Sequence, residues 1–193
     1  RSNSHYPEVI ALDTENAPDG TLGLWSVAYR NPEGAIVVES YSGRDIRKKF
    51  DCQVVMHNAK WDKRVLKANK MPVPENIVDT LLAAYSLGIG KQGVKGGGSG
   101  DDSLVGGLSL KYLARRHLGM RMSTWKEVYN KPELQEEYNA NDSVATLLLW
   151  EQFLPKLSEH FWKIDMPLLN VIMAMEDRGI KIDPTRLQEM ETY

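Results

Sequence analysis

A chain of 193 residues, 42% of them hydrophobic, has enough apolar material for one domain with its own core, or one domain plus an appendage, which excludes a disordered segment. A formal charge of -2 and a pI near 6.1 exclude a globally basic protein, so any nucleic-acid partner has to be argued from a local site. The single cysteine, Cys52, excludes an internal disulfide framework and fits a reducing, intracellular setting, and no apolar run approaches the length of a membrane-spanning helix.

In chain order, RSNSHYPEV has no signal-peptide core and reads as a polar leader. EVIALDTE (8–15) is an apolar run ending in acids. LWSVAYR (24–30) and AIVVES (35–40) follow turn-rich breaks at NAPDGTLG and NPEG, and three strands in quick succession predict a meander. GRDIRKKF (43–50) predicts a short amphipathic helix and QVVMH (53–57) a return to strand, with Cys52 expected to be a small buried side chain rather than a nucleophile. From Ala59 the positions Trp61, Val65, Leu66 and Ala68 fall close to a 3.6-residue period, which predicts a helix.

NIVDTLLAAYSLG (76–88) predicts a short strand feeding a helix that stops at Gly88, with Asp79 expected to cap that helix or to support a ligand residue. Residues 88–107 hold nine glycines in twenty, the composition of a mobile loop or an engineered linker, and lack the strand-GxxxxGK[ST]-helix pattern of a phosphate loop. LSLKYLARRHLG (108–119) predicts a helix between an N-cap at Ser109 and a stop at Gly119. Helices are also expected over 132–157, with Pro132 in the first turn, and over 161–179, ending at Gly179. Strands first and helices last make this an α/β domain with a helical tail.

The acids fall at telling intervals. Asp13 and Glu15, two apart on a strand, share one face, and Asn58 and Asp62, four apart at a helix start, share another. Tyr138 and Asp142 are also four apart, among the apolar residues of the long helix. Buried carboxylates without a counter-charge are expensive, and a divalent cation removes that cost. Oxygen-only ligands select a hard ion such as Mg²⁺ or Mn²⁺, and two such ions roughly 4 Å apart can activate a water and steady both oxygens of a phosphodiester displacement. Each pair alone also has a bland reading: a solvated strand end, a surface ion pair, a tyrosine at the core edge.

DTE (13–15), NAKWD (58–62) and YNAND (138–142) together resemble, in order and separation, the DxE, NxxxD and YxxxD motifs of the DEDD 3′-to-5′ exonuclease superfamily, in its tyrosine-bearing DEDDy branch. The chain resembles most the proofreading domain of family A DNA polymerases, through IVDTLLAAY (77–85), LSLKYLA (108–114) and DSVAT (142–146), while PLLNVIMAMEDRGIKID (167–183) is similar to the helix leading towards the polymerase thumb. The likeness runs from about Val9 to Asp183. DxE alone is weak; three motifs in order, each on the expected element, are specific.

The resemblance implies a ribonuclease H-like exonuclease fold over 1–157, a mixed sheet of about five strands flanked by helices, followed by a helical extension over 158–193. It implies that Asp13 bridges two Mg²⁺ or Mn²⁺ ions, that Glu15 and Asp142 complete the tighter site, and that Asp62 holds the second partly through water. Tyr138 would orient the attacking water, and Asn58 would lie beside the terminal nucleotide of a single-stranded or frayed DNA 3′ end. Thr14 and Trp61 are further candidates to touch the terminal sugar or base, although the helical phase of Trp61 favours packing into the core. Lys60, Lys63, Arg64, Lys67 and Lys70 form either a solvated helix face or a strip for the nucleic-acid backbone. Palm and fingers motifs are absent, so the expectation is a monomeric fragment working with the polymerase domain of a parent chain, or a stand-alone nuclease. Two rivals are an RNA-trimming, ribonuclease D-like enzyme and a non-catalytic module that binds a DNA end or a partner.

Overall fold

A computed structural model describes residues 6–17, 19–43, 50–89 and 107–191. Five strands form one mixed sheet: β1 (Val9–Asn16), β2 (Leu22–Arg30), β3 (Ile36–Ser42), β4 (Gln53–Met56) and β5 (Ile77–Asp79), in spatial order β3-β2-β1-β4-β5. The meander predicted for the first three is present as antiparallel pairs, and β4 and β5 add in parallel beside β1. Parallel addition requires crossovers. The first runs through residues 43–52, so the helix expected over 43–50 falls largely on 44–49, outside the described residues, as does most of the glycine-rich tract (90–106).

The second crossover is α1 (Ala59–Ala68), and β5 passes directly into α2 (Thr80–Ser86). The predicted helix at 108–119 is shorter: α3 (Leu110–Leu113) begins at Ser109, whose hydroxyl accepts from Tyr112 N, and widens into a π-helical turn over Ala114–Leu118. Gly119, at φ 69°, ends it in the left-handed region that glycine adopts without a Cβ clash. A short α4 (Trp125–Val128) was not anticipated, although Thr124 and Glu127 form the capping box that signals a helix start. The long α5 (Pro132–Phe153) stops short of the expected end at Leu157, becoming a 3₁₀ turn where Pro155 has no N–H to donate. A π-helical turn over Phe161–Asp165 precedes α6 (Met166–Arg178), and α7 (Pro184–Glu191) follows.

Alternation along β1 divides the core in two. Ile10 and Leu12 face α1, packing with Trp25, Val27, Val54, Val65 and Leu66. Ala11 faces α2, α3 and α5, packing with Val55, Ala84, Leu113, Leu149 and Trp150. The residues after 158 continue this core: Phe161 is fully buried in the second cluster and Leu169 is buried in the first. Cys52 is only half-buried, a correction to its expected full burial, because it precedes β4 at the open end of the parallel strands. No helix of the described residues is long and apolar enough to cross a membrane.

Candidate active site

The two faces of β1 lead to the two halves of the site. Beyond Ala11, alternation sends Asp13 and Glu15 to the α5 side; beyond Leu12 it sends Thr14 to the α1 side. The register slips immediately after Glu15, so the acids lie where regular pairing with β2 ends. Asp142, one turn after Tyr138 on α5, meets the first pair: Asp13, Glu15 and Asp142 each bring a carboxylate oxygen within 4.8 Å of the others. Asp62 approaches from α1 and is held by Thr14, whose backbone N–H and hydroxyl donate to Oδ1 at 3.1 and 2.7 Å.

These acids line a cavity of about 500 Å³, a volume usual for small-ligand sites, together with Asn58, Trp61, Tyr138 and Trp125. Trp61 is 53% exposed. Its expected packing into the core is therefore corrected: the apolar face of α1 is taken by Ala59, Val65 and Leu66, which leaves the indole at the cavity mouth. Thr14 is buried, and its hydroxyl is engaged on Asp62.

Burial and mutual repulsion both resist ionisation of these acids. Burial raises the Asp13 pKa well above the usual carboxylate range, and the charges of Asp142, Asp62 and Glu15 push it further. Burial pushes Asp62 up to about 7 against the opposing hydrogen bonds from Thr14. Tyr138 is raised by burial and by the neighbouring acids. Among the described residues one cation answers them: Lys111 Nζ donates to Asp142 Oδ1 and lies 4.1 Å from the centroid of the Tyr138 ring. A cluster of oxygen ligands whose members resist ionising together fits a hard divalent cation.

The supports are equally specific. Asn58 has left-handed backbone (φ 64°, ψ 54°), which asparagine tolerates better than most residues, and its side chain does not cap α1. Asp79 does so instead. Its carboxylate accepts from Asn58 N and Ala59 N at 3.0 and 2.9 Å, and from Leu81 N and Leu82 N at the start of α2. The expected cap of one helix is thus a cap of two, which ties the helix carrying Asp62 to β5. His57 is pinned between Thr80 Oγ1 (2.9 Å) and the Leu108 carbonyl (3.0 Å). That carbonyl can only accept, so Nε2 carries the proton, and burial lowers the imidazole pKa to about 4.

The basic strip on α1 is largely occupied. Lys60 and Arg64 pair with Glu176, Arg64 also with Asp177, and Lys63 donates to Asn170, all on α6. Three functional candidates escaped the sequence reading: Lys111, Trp125 and Asn139. The Thr124–Glu127 capping box could have located the helix of Trp125; nothing local reveals that Lys111 reaches Asp142.

A family model described as 3′-5′ exonuclease, of the DNA polymerase A group, matches residues 2–158. The chain belongs to this exonuclease family. The DNA polymerase I of a Synechocystis strain is 32% identical over 143 residues, covering 70% of this chain and 14% of the relative. That of Borreliella burgdorferi is 26% identical over 210 residues, covering 93% of this chain and 21% of the relative. The exonuclease chain thus spans well under a third of these relatives. Among solved structures, Escherichia coli RNase D, described as an exoribonuclease involved in structured RNA processing, matches with a TM-score of 0.57 at 17% identity, covering 90% of this chain and 46% of that one. The POL domain of Pol1 from M. smegmatis, in complex with DNA primer-template and dNTP, matches at 0.57 and 15% identity, covering 95% and 30%. Both support the ribonuclease H-like fold expected from the motifs.

Proposed function

We propose that this domain is a DEDDy-type exonuclease that removes nucleoside monophosphates from the 3′ end of single-stranded or frayed DNA, as the proofreading part of a family A polymerase chain. The observation that carries this reading is the convergence of Asp13, Glu15 and Asp142 within 4.8 Å, with Asp62 beside Asp13 and Tyr138 one turn before Asp142. Asp13, Glu15, Asp62 and Asp142 would hold Mg²⁺ or Mn²⁺. Two such ions, when bound, supply an activated water and neutralise charge on the scissile phosphate. The chain's own residues do the rest. Tyr138, kept protonated by burial and by its acidic surroundings, is a hydrogen-bond donor for the attacking water or the phosphate. Trp61 and Trp125 wall the cavity and offer faces on which a terminal base can stack, with Asn58 beside them. Lys111 adds positive charge where the phosphate would develop negative charge.

The strand's path is supported by a second cavity of about 440 Å³, which shares Lys111 with the first and is lined by Arg115, Arg121, Tyr112, Met120 and Met122. Its two arginines take part in no ion pair among the described residues, unlike Lys60 and Arg64 on α1. Unpaired cations around an apolar floor suit a single-stranded backbone with unstacked bases. Replacing Arg115 and Arg121 together by alanine is expected to flatten the salt dependence of oligonucleotide binding by about 1.4 in the log–log slope, roughly 0.7 for each phosphate that is no longer neutralised. Fluorescence anisotropy over a salt series in EDTA measures it.

DNA is favoured over RNA because the curated relatives are DNA polymerases, whereas the likeness to RNase D is one of fold. The deciding experiment digests 5′-labelled DNA and RNA oligonucleotides of one sequence with Mg²⁺, with Mn²⁺ and with EDTA. A metal-dependent ladder shortening from the 3′ end of DNA is expected. Faster RNA shortening would move the assignment to an RNA-trimming enzyme, and intact oligonucleotides under both metals would leave a non-catalytic binding module.

A further inference from the structure

We infer that Asn139 is a positioning residue for Asp13, an inference that rests on the proposed metal-dependent site. Asn139 follows Tyr138 on α5 and is 1% exposed. Its Nδ2 donates to Asp13 Oδ2 at 2.7 Å and lies 3.4 Å from the Asp13 carbonyl. Its own carbonyl accepts from Ser26 Oγ at 2.9 Å, and Ser26 is the residue directly opposite Asp13 in the β1–β2 register. Strand neighbour, helix backbone, amide and carboxylate therefore form a closed circuit around Asp13. Turned over, the amide would set its oxygen against the Asp13 carboxylate in the ionised form that holds a metal. Held as it is, the buried Oδ1 has no hydrogen-bond partner among the described residues. An orphaned buried acceptor is costly, and an apolar side chain of the same branched outline would leave no such acceptor.

The asparagine therefore makes sense through what its N–H does. It is a neutral donor, so it holds one oxygen of Asp13 and fixes the plane of the carboxylate without cancelling its charge. Lys111 cannot substitute, since its ammonium is committed to Asp142.

The test is Asn139→Leu, which keeps the branching of the side chain in a bulkier apolar form, alongside Asn139→Ala and the unaltered domain. Mn²⁺ binding is followed by calorimetry without DNA, kcat and KM on a single-stranded oligonucleotide, and thermal midpoint in EDTA. Loss of an outer partner of a metal ligand typically costs about 10–100-fold in metal affinity or activity. Asn139→Leu is expected to weaken Mn²⁺ binding and lower kcat on that scale, to leave KM for the oligonucleotide within about twofold, and to keep or raise the thermal midpoint. A purely structural asparagine would give the opposite pattern, a lower midpoint with unchanged Mn²⁺ affinity, and that result in the folded leucine variant overturns the inference. Should leucine prevent folding, unchanged Mn²⁺ affinity in Asn139→Ala overturns it equally. Failure of the unaltered domain to bind Mn²⁺ would instead overturn the metal-site reading, and this inference with it.

Discussion

Replacing Asp13 by alanine is expected to lower the turnover of a 5′-labelled single-stranded oligonucleotide in Mg²⁺ by about a thousandfold or more, at least the loss seen when one group stabilising transition-state charge is removed. Asp13 stands at the centre of the acids: its carboxyl is opposed by Asp142, Asp62 and Glu15, and it is the member that faces both the three-carboxylate cluster and the Asp62 side. No neighbouring side chain can replace it, because Glu15 is held on β1 at the last regular pair before the slip in register and Asp62 is anchored to Thr14. The same substitution removes a buried carboxyl whose ionisation is resisted but leaves the buried Asn139 amide without that acceptor, so the two effects on the metal-free protein oppose and a small net change in stability is expected. A large loss of turnover with little change in stability distinguishes a functional acid from a structural one. Turnover within tenfold of the unaltered domain would remove Asp13 from the proposed metal-binding set.

The second large effect is a stability that falls as pH rises. Asp62 ionises near 7 in the folded chain against about 4 for an unfolded aspartate. Between those values the folded state binds the extra proton, so stability is greatest below about pH 4 for this group and is lost progressively as pH climbs through 7. His57 has the opposite sense: lowered to about 4, it costs stability as pH falls from about 6.5. The two overlap, so the clean measurement is the difference between the unaltered domain and Asp62→Asn in EDTA. The amide oxygen can still accept both bonds from Thr14 but carries no charge. The variant's advantage in unfolding free energy should grow between pH 4 and 7, by a total on the order of 4 kcal/mol for a shift of roughly three units. Saturating Mn²⁺ should erase the advantage, because an ion that binds the folded chain stabilises it by mass action. An advantage that stays flat with pH would mean that Asp62 is already ionised in the folded protein.

Much of the site was legible because its signals are local. Asp13 and Glu15 share a face by strand alternation, and Tyr138 and Asp142 by helix geometry; both follow from backbone periods a sequence displays directly. Asp79 was readable as a cap because an acid before an apolar helical run satisfies exposed N–H groups. Its second set of partners, Asn58 and Ala59, lies about twenty residues earlier, and no local rule reaches that far.

Trp61 illustrates the limit in the other direction. A tryptophan in helical phase with Val65 usually faces the core, but the face of α1 that meets the sheet is narrow, and the indole lies outside it. The basic residues of α1 looked equally available for a nucleic-acid backbone until α6 brought Glu176 and Asp177 against them across more than a hundred positions. Lys111 and Asn139 were invisible because their significance lies in what they touch.

Residue propensities and backbone periods of two and 3.6 already specify the α/β class, the meander and the pairing of acids within each segment. Long-range packing settles the rest: Thr14 meets Asp62 across 48 positions and Asn139 meets Asp13 across 126, Lys60 and Arg64 on α1 are paired with α6 while Arg115 and Arg121 line a cavity beside α3, and one exposed tryptophan borders the site. The physical reason is that a carboxylate's environment is set by burial and by charges within a few ångströms, and the chain brings those groups together only when its two cores close on opposite faces of β1.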